Sequence, residues 1–257
     1  MAEAKQQNRD FVTSLAKGLA VIQAFGPDTP RMTLSEVAAR TGMSRATARR
    51  LLLTLETLGF VRSTARNFEL SPQVLDLGYS FLSAHNFTGV IQSLIEAVTR
   101  ELQESCSVGM LNGEDVVYVA RSSAEHRLMS ISLSIGSRLP AVTTSMGRVL
   151  LAHMETPARA RFLDRVELVP STPRTVTDKA RLNHILDDVQ RDGYCVLDQE
   201  LEPALRSLAV PVRNPAGQVV AAVNVSTNAG RVPQEQLMQT FLPVLQRCAA
   251  SIGPYIG

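Results

Sequence analysis

Six arginines fall between Arg40 and Arg66 with a single acid, Glu56, among them. A guanidinium is permanently charged and offers planar donors, so a stretch of this kind can neutralise phosphates. Arg45, Thr47, Arg49 and Arg50 follow directly on Ser44, which crowds cationic and hydroxyl groups into the start of one predicted helix. Arg62 and Arg66 come just after it. Residues 1–70 hold ten Lys or Arg against six Asp or Glu, whereas the remainder holds sixteen against eighteen, so the net charge of +2 hides a basic N-terminal part. Such asymmetry is the electrostatic footprint expected of a nucleic-acid binder.

A second set of residues suits a small anion. Thr143-Thr144-Ser145-Met146-Gly147-Arg148 is a hydroxyl-rich loop running into a helix, whose N-terminal amides favour carboxylates. Asp198 and Glu200 stand just past a predicted strand, where a carboxylate can accept from a ligand hydroxyl. On the last strand pair, Ser207 and Ala209 share a face with Pro211, and Asn224 and Ser226 share a face with Ala222. Small and polar residues on one face of an apolar domain leave room for a ligand. The same patterns also describe a plain helix cap, a solvated acid pair and a wet sheet face.

Other chemistry is missing. Cys106, Cys195 and Cys248 form no C-x-x-C pair, and His85, His126, His153 and His184 are scattered, so no metal site and no cofactor is expected. There is no G-x-S-x-G elbow and no phosphate loop. No segment has the roughly 20 apolar residues of a membrane span, and Met1–Asp10 lacks the apolar core of a signal peptide, so a cytoplasmic protein is expected.

The elements that must position the basic residues are legible. Leu15, Leu19 and Ile22 mark one face of a helix over about Ser14–Phe25, ended by Gly26-Pro27. Thr33 and Glu36 make a T-x-x-E capping box for a second helix, which stops at Thr41-Gly42. Ser44 caps a third, whose apolar stripe is Ala48, Leu51, Leu52, Leu55 and Leu58; Leu53 lies on the outward side. Two helices joined by a short turn containing Gly are a helix-turn-helix, which sets the N-terminal part of its second helix against base edges. Strands at 60–62 and 68–70 would form a wing carrying Arg62 and Arg66 toward the backbone or minor groove.

Pro72 opens a linking helix to about Ala84, and a further helix spans about Thr88–Glu104. Strands are predicted at Ser107–Met110, Asp115–Arg121, Leu128–Ile135, Tyr194–Asp198, Ser207–Val212 and Gln218–Ser226. Helices are predicted at Met146–His153, Pro157–Leu163, Asp178–Arg191 and Pro233–Ile252. The reading is an α+β protein: a tail (1–10), a winged helix-turn-helix domain (11–71), a linker helix (72–85) and an α/β effector-binding domain (86–257).

The order of motifs resembles the IclR family, named for the isocitrate lyase regulator. The resembling residues are Ser14–Leu19, Leu34–Ala38, Gly42–Thr47, Leu139-Pro140, Met146–Ala152, Asp192–Tyr194 and Ala209–Val212. The resemblance implies a GAF-like effector domain and a homodimer, often pairing to a tetramer, on double-stranded operator DNA. It implies contact with RNA polymerase if the protein is an activator. It implies that Ser145, Asp198, Ser207, Asn224 and Ser226 line a pocket for a small carboxylate; some members carry Gly, Cys and Ser where this chain has Ser145, Ser207 and Asn224. Phe11–Leu19 and Thr144–Arg148 look most like the branch controlling aromatic-acid and β-ketoadipate catabolism, which suggests protocatechuate, 4-hydroxybenzoate or β-ketoadipate as effector. The full site expectation is Ser44, Arg45, Thr47, Arg49, Arg50, Arg62 and Arg66 for DNA, with Thr144, Ser145, Met146, Asp198, Glu200, Ser207, Ala209, Asn224 and Ser226 for the effector. An enzyme with a helical docking module lacks any nucleophile–base or metal set here. An adaptor using the winged helix for a protein partner is the other alternative, and a gel shift separates both from a regulator.

Overall fold

A computed structural model describes residues 10–84, 86–124 and 133–256. The chain divides into two compact units, Met1–Phe81 and Leu82–Gly257.

In the first unit three helices, α1 (Thr13–Gln23), α2 (Leu34–Thr41) and α3 (Arg45–Thr57), pack over a small antiparallel sheet of β1 (Met32–Thr33), β2 (Val61–Thr64) and β3 (Asn67–Leu70) in the order β1-β3-β2. Local signals set the helix ends. Thr33 and Glu36 cap α2 reciprocally, and Gly42 takes a left-handed conformation (φ 66°) that brings α3 in at once. Strand β1 escapes a sequence reading because two residues carry no periodicity. The core is Val21, Phe25, Val37, Ala48, Leu52, Leu55 and Val61.

The expected inward stripe of α1 is not the buried one. Leu15 and Leu19 are 63% and 46% exposed, and the buried residue of the helix is Val21, roughly a third of a turn away, with Ala24 and Phe25 buried just past its end. Leu58 of α3 is likewise exposed. Periodicity finds an apolar face but not what covers it. Leu15, Leu19, Leu51, Leu58, Phe60 and Leu77 instead line an open groove of about 850 Å³. After the wing, Ser71 caps a 3-10 turn, Pro72–Val74, that leads into α4 (Leu75–Ala84), a helix with no buried residue; Leu75, Leu77, Tyr79 and Phe81 are all exposed.

The second unit is built on a six-stranded antiparallel sheet, β6-β5-β4-β9-β8-β7. Its strands are β4 (Ser105–Asn112), β5 (Asp115–Ser122), β6 (Arg138–Pro140), β7 (Cys195–Asp198), β8 (Leu205–Arg213) and β9 (Val219–Asn228). Alternation gives it two buried faces. One carries Cys106, Val108, Leu208, Val210, Val223 and Val225 and packs on α5 (Val90–Leu102) and α10 (Leu242–Ile252). The other packs on α6 (Ser145–Ala152) and α8 (Lys179–Asp192), flanked by α7 (Thr156–Arg165). Of the expected strand Leu128–Ile135, residues 128–132 lie outside the described residues, and 133–135 run into a turn at Gly136. Pro140 sits within β6; an edge strand tolerates a missing donor. The last predicted helix is broken: α9 (Gln234–Gln236) leads into a π-helical turn, Leu237–Phe241, before α10. Pro243 cannot donate to the preceding turn, and the wider π turn absorbs that lost bond.

Helix α6 folds back closely on the 3-10 turn Ala141–Thr143 that precedes it: at Gly147 a Cβ would overlap the Ala141 backbone. The obstacle is main chain, so it cannot swing aside. Gly147→Ala is therefore expected to destabilise the second unit by about 3 kcal/mol, read by urea unfolding; a midpoint within error of wild type would show that α6 and the Ala141–Thr143 turn are less closely packed.

Candidate DNA interface and effector site

The first turns of α3 present Arg45, Arg49 and Arg50 to solvent, and no acid pairs with them among the described residues. Ser44 Oγ accepts from Thr47 N (3.2 Å) and lies 3.0 Å from Thr47 Oγ1, so both hydroxyls also serve the cap. Glu56, the one acid within the arginine run, accepts from Ser63 N at 3.2 Å and so braces α3 against β2 without neutralising an arginine.

The wing differs from expectation. Arg62 Nε is held by Glu69 at 2.7 Å, and the same carboxylate takes Arg31 Nε at 2.6 Å. The hydrogen bond from Arg31, with the charges of both arginines, holds the Glu69 carboxyl below its ordinary value. Arg62 is thus half committed, because it faces Glu69 across the β2–β3 register. Arg66 stands exposed at the hairpin tip with no acid partner among the described residues, beside Ala65 in a left-handed conformation (φ 58°).

In the second unit the register gathers the small polar residues. One row across the sheet reads Arg121, Ser107, Asn224, Ala209, Cys195. The next reads Ser105, Ser226, Ser207, Leu197. These rows share the face covered by α6. Met146 lies on the adjacent row, its sulfur 3.1 Å from where a Cβ on Gly109 would stand. Thr144 accepts from Gly147 N at 3.1 Å and caps the helix. Asn224 Nδ2 donates to Ser226 Oγ at 3.3 Å. Ser145 Oγ and Asn224 Oδ1 are buried and have no partner among the described residues.

Two expected members fall elsewhere. Glu200 is consumed by a buried fork on Arg148, Nη1–Oε1 2.7 Å and Nη2–Oε2 2.6 Å, and also accepts from Val176 N. Arg148 is 2% exposed, with Nε on Val142 O at 2.9 Å. A buried guanidinium needs such a partner, so Glu200 has no oxygen to spare for a ligand. Asp198 pairs in register with Arg206, next to Thr227, on the sheet face opposite Ser207. Its carboxylate holds Arg206 at 2.7 Å and Arg174 at 2.9 Å. Burial alone would raise this carboxyl, but the hydrogen bond and charge of Arg206, with Gln199 and Arg174, outweigh it and hold the carboxyl below its ordinary value. Arg148 and Arg121 were not among the expected site residues. The signal for Arg148 was a cation inside the otherwise apolar stretch Met146–Ala152.

A winged helix-turn-helix with an open cationic reading helix, joined to an α/β domain with a buried polar cluster, defines a DNA-binding sensor. Residues 14–65 match the IclR helix-turn-helix domain and residues 79–253 match the bacterial transcriptional regulator IclR C-terminal domain. The chain belongs to the IclR family of transcriptional regulators, with a GAF-like effector domain. It is 45% identical over 236 residues to the Pca regulon regulatory protein of Pseudomonas putida, covering 92% of this chain and 81% of that one. A transcriptional regulator from Rhodococcus sp. RHA1 superposes with a TM-score of 0.83 at 46% identity, covering 96% of this chain and 98% of the other. The inducer-binding domain of a double mutant of the Acinetobacter transcription factor PobR, in complex with 3-hydroxybenzoic acid, superposes with a TM-score of 0.60 at 30% identity over 65% of this chain and 97% of the other.

The two ion pairs of this domain are expected to differ in weight. Glu200→Gln strands a buried guanidinium and costs about 3–5 kcal/mol, whereas Asp198, whose side chain is 32% exposed, costs under about 1 kcal/mol as Asn. Chemical denaturation of the two variants measures this, and equal losses would contradict the burial argument.

Proposed function

We propose that the protein is a cytoplasmic, effector-responsive regulator of an aromatic-acid catabolic operon. It binds double-stranded operator DNA as a dimer that can pair to a tetramer, and it meets RNA polymerase if it activates. The carrying observation is the reading helix: α3 of an IclR helix-turn-helix leads with Arg45, Arg49 and Arg50, all exposed and, among the described residues, unpaired with any acid. Thr47 and Ser44 supply hydroxyls beside them, Arg66 meets the phosphate backbone, and Arg62 joins it through the nitrogens that Glu69 leaves. The likeness to the Pca regulon protein supports the pathway class, and protocatechuate, 4-hydroxybenzoate and β-ketoadipate are the first effectors to test. Thr144, Ser145, Met146, Ser207, Ala209, Asn224 and Ser226 form the effector site; Asp198 and Glu200 are left out because each is occupied by arginine. No catalytic step, metal or cofactor is part of this reading.

The open apolar groove supports the dimer. Leu15, Leu19 and Leu58 expose more apolar surface than an isolated unit needs, and contiguous patches of this kind mark association sites.

Two outcomes are expected. Arg49→Ala or Arg50→Ala weakens operator binding by about 1–3 kcal/mol, while Arg66→Ala weakens specific and random DNA alike and flattens the salt slope. Gel shifts on the chain's own upstream region read this, and unchanged affinity in all the α3 variants would remove the helix from the role. Leu19→Asp yields a folded monomer by sedimentation and loses tight operator binding; a dimer with wild-type affinity would place the contact elsewhere.

A further inference from the structure

Arg121 is a partly buried cation of the second unit. It lies on β5 opposite Ser107, whose Oγ accepts from Arg121 Nη1 at 3.0 Å. Its Nε is buried and without a partner among the described residues. Among those residues no carboxylate pairs with it. The other well-buried arginines of this unit all have one: Arg148 takes Glu200, Arg159 takes Asp187 and Arg206 takes Asp198. Burial pushes the Arg121 guanidinium below its ordinary pKa. A desolvated cation that meets only a serine is costly unless an anion arrives from elsewhere.

The backbone aims it. The β4–β5 pairing shifts at Val108/Gly109, so Val108 opposes Ala120 while Gly109 opposes Tyr118. Val119 is the extra residue. Such a bulge breaks strict alternation and brings Tyr118 and Arg121, three apart, onto one face, the face that carries Ser107, Asn224 and Ser226. Along that row Arg121 Nε lacks an acceptor and Asn224 Oδ1 lacks a donor. One buried group asks for an anion and the other for an O–H or N–H.

We propose that Arg121 is the carboxylate anchor of the effector site and that it orients a hydroxylated aromatic acid with its carboxylate at Arg121 and Ser107 and its hydroxyl toward Asn224. The inference rests on the aromatic-acid reading of this site given above and adds to it the residue that recognises the charge. The cation makes the site selective for the ionised acid over a neutral molecule of the same shape.

Calorimetric titration of the full-length protein with 4-hydroxybenzoate and with its neutral amide, 4-hydroxybenzamide, tests this. Wild type is expected to prefer the acid by about 100-fold, and Arg121→Gln to narrow that preference below about fivefold by losing the acid, not the amide. Operator binding reports that the variant is folded. Should Arg121→Gln fail to fold, Arg121→Lys decides: a loss of about tenfold on the acid with the amide unmoved supports the anchor. A folded variant at Arg121 that keeps the acid at wild-type affinity overturns the proposal while leaving the aromatic-acid reading intact. If wild-type protein binds neither 4-hydroxybenzoate nor protocatechuate, the aromatic-acid reading fails first and the anchor with it.

Discussion

The buried fork between Arg148 and Glu200 fixes the geometry on which the effector domain depends. Arg148 sits in the middle of α6, a helix otherwise buried among apolar side chains, and an unpaired guanidinium there would cost several kcal/mol. Glu200 meets it from 52 residues along the chain, and Val176 N adds a third donor to the carboxylate. The pair therefore ties α6, the loop after β7 and the segment before α8 together. Gly147 lets the same helix approach the Ala141 backbone, and Thr144 closes its first turn. The consequence is positional: the start of α6, with Ser145, is held over the one sheet face where serine, asparagine and arginine line up.

At the DNA end, placement of acids matters more than the number of arginines. Glu69 binds Arg31 and Arg62 on one side of the wing, and Glu56 is spent on Ser63. Among the described residues neither acid pairs with Arg45, Arg49 or Arg50 of α3. The guanidinium groups at its start project from a cationic surface, which steers phosphate and leaves base-reading donors free. Glu69 also stiffens the β2–β3 hairpin that carries Arg66 at its tip.

How far the sequence discloses this depends on the range of each interaction. The helix-turn-helix is legible because its determinants are local: Thr33 with Glu36, Gly42, and Ser44 all act within four residues. The β4–β5 hairpin follows from Asn112-Gly113 for the same reason. Periodicity placed Leu15 and Leu19 on an apolar face but could not tell a core from an exposed groove. Asp198 was grouped with Ser207 by the family resemblance, and only the β7–β8 register reveals that they point to opposite faces. Glu200 was credited to a ligand because its true partner is distant in sequence. Arg121 stayed hidden because a bulge, which alternation cannot foresee, turns it inward; β6 and the π turn before α10 were hidden because short or irregular elements leave no period to read.

These polar atoms also bear on regulation. Ser145 Oγ, Asn224 Oδ1 and Arg121 Nε are each buried without a protein partner among the described residues, and a buried unsatisfied group costs about 1–3 kcal/mol. A ligand that satisfies them gains that energy only in the arrangement where α6 and β5 converge on it. Differential affinity between two arrangements is the sole means by which a ligand can shift an equilibrium, and coupling between regulator sites is typically about 1–3 kcal/mol. Two or three satisfied groups are therefore sufficient in size, and no large rearrangement of the core is required. Because the coupling is reciprocal, the same atoms must feel the operator: DNA that favours one arrangement raises or lowers effector affinity by the factor that the effector imposes on DNA. The connection runs through α4, an exposed helix with no buried side chain and with Gly78 inside it. A helix held so weakly by packing transmits an arrangement only if something else braces its apolar side chains, and Leu77 already lines the groove that the dimer would close. On the dimer reading proposed above, dimerisation and effector coupling would draw on the same exposed leucines, and a change that loosens one would loosen the other.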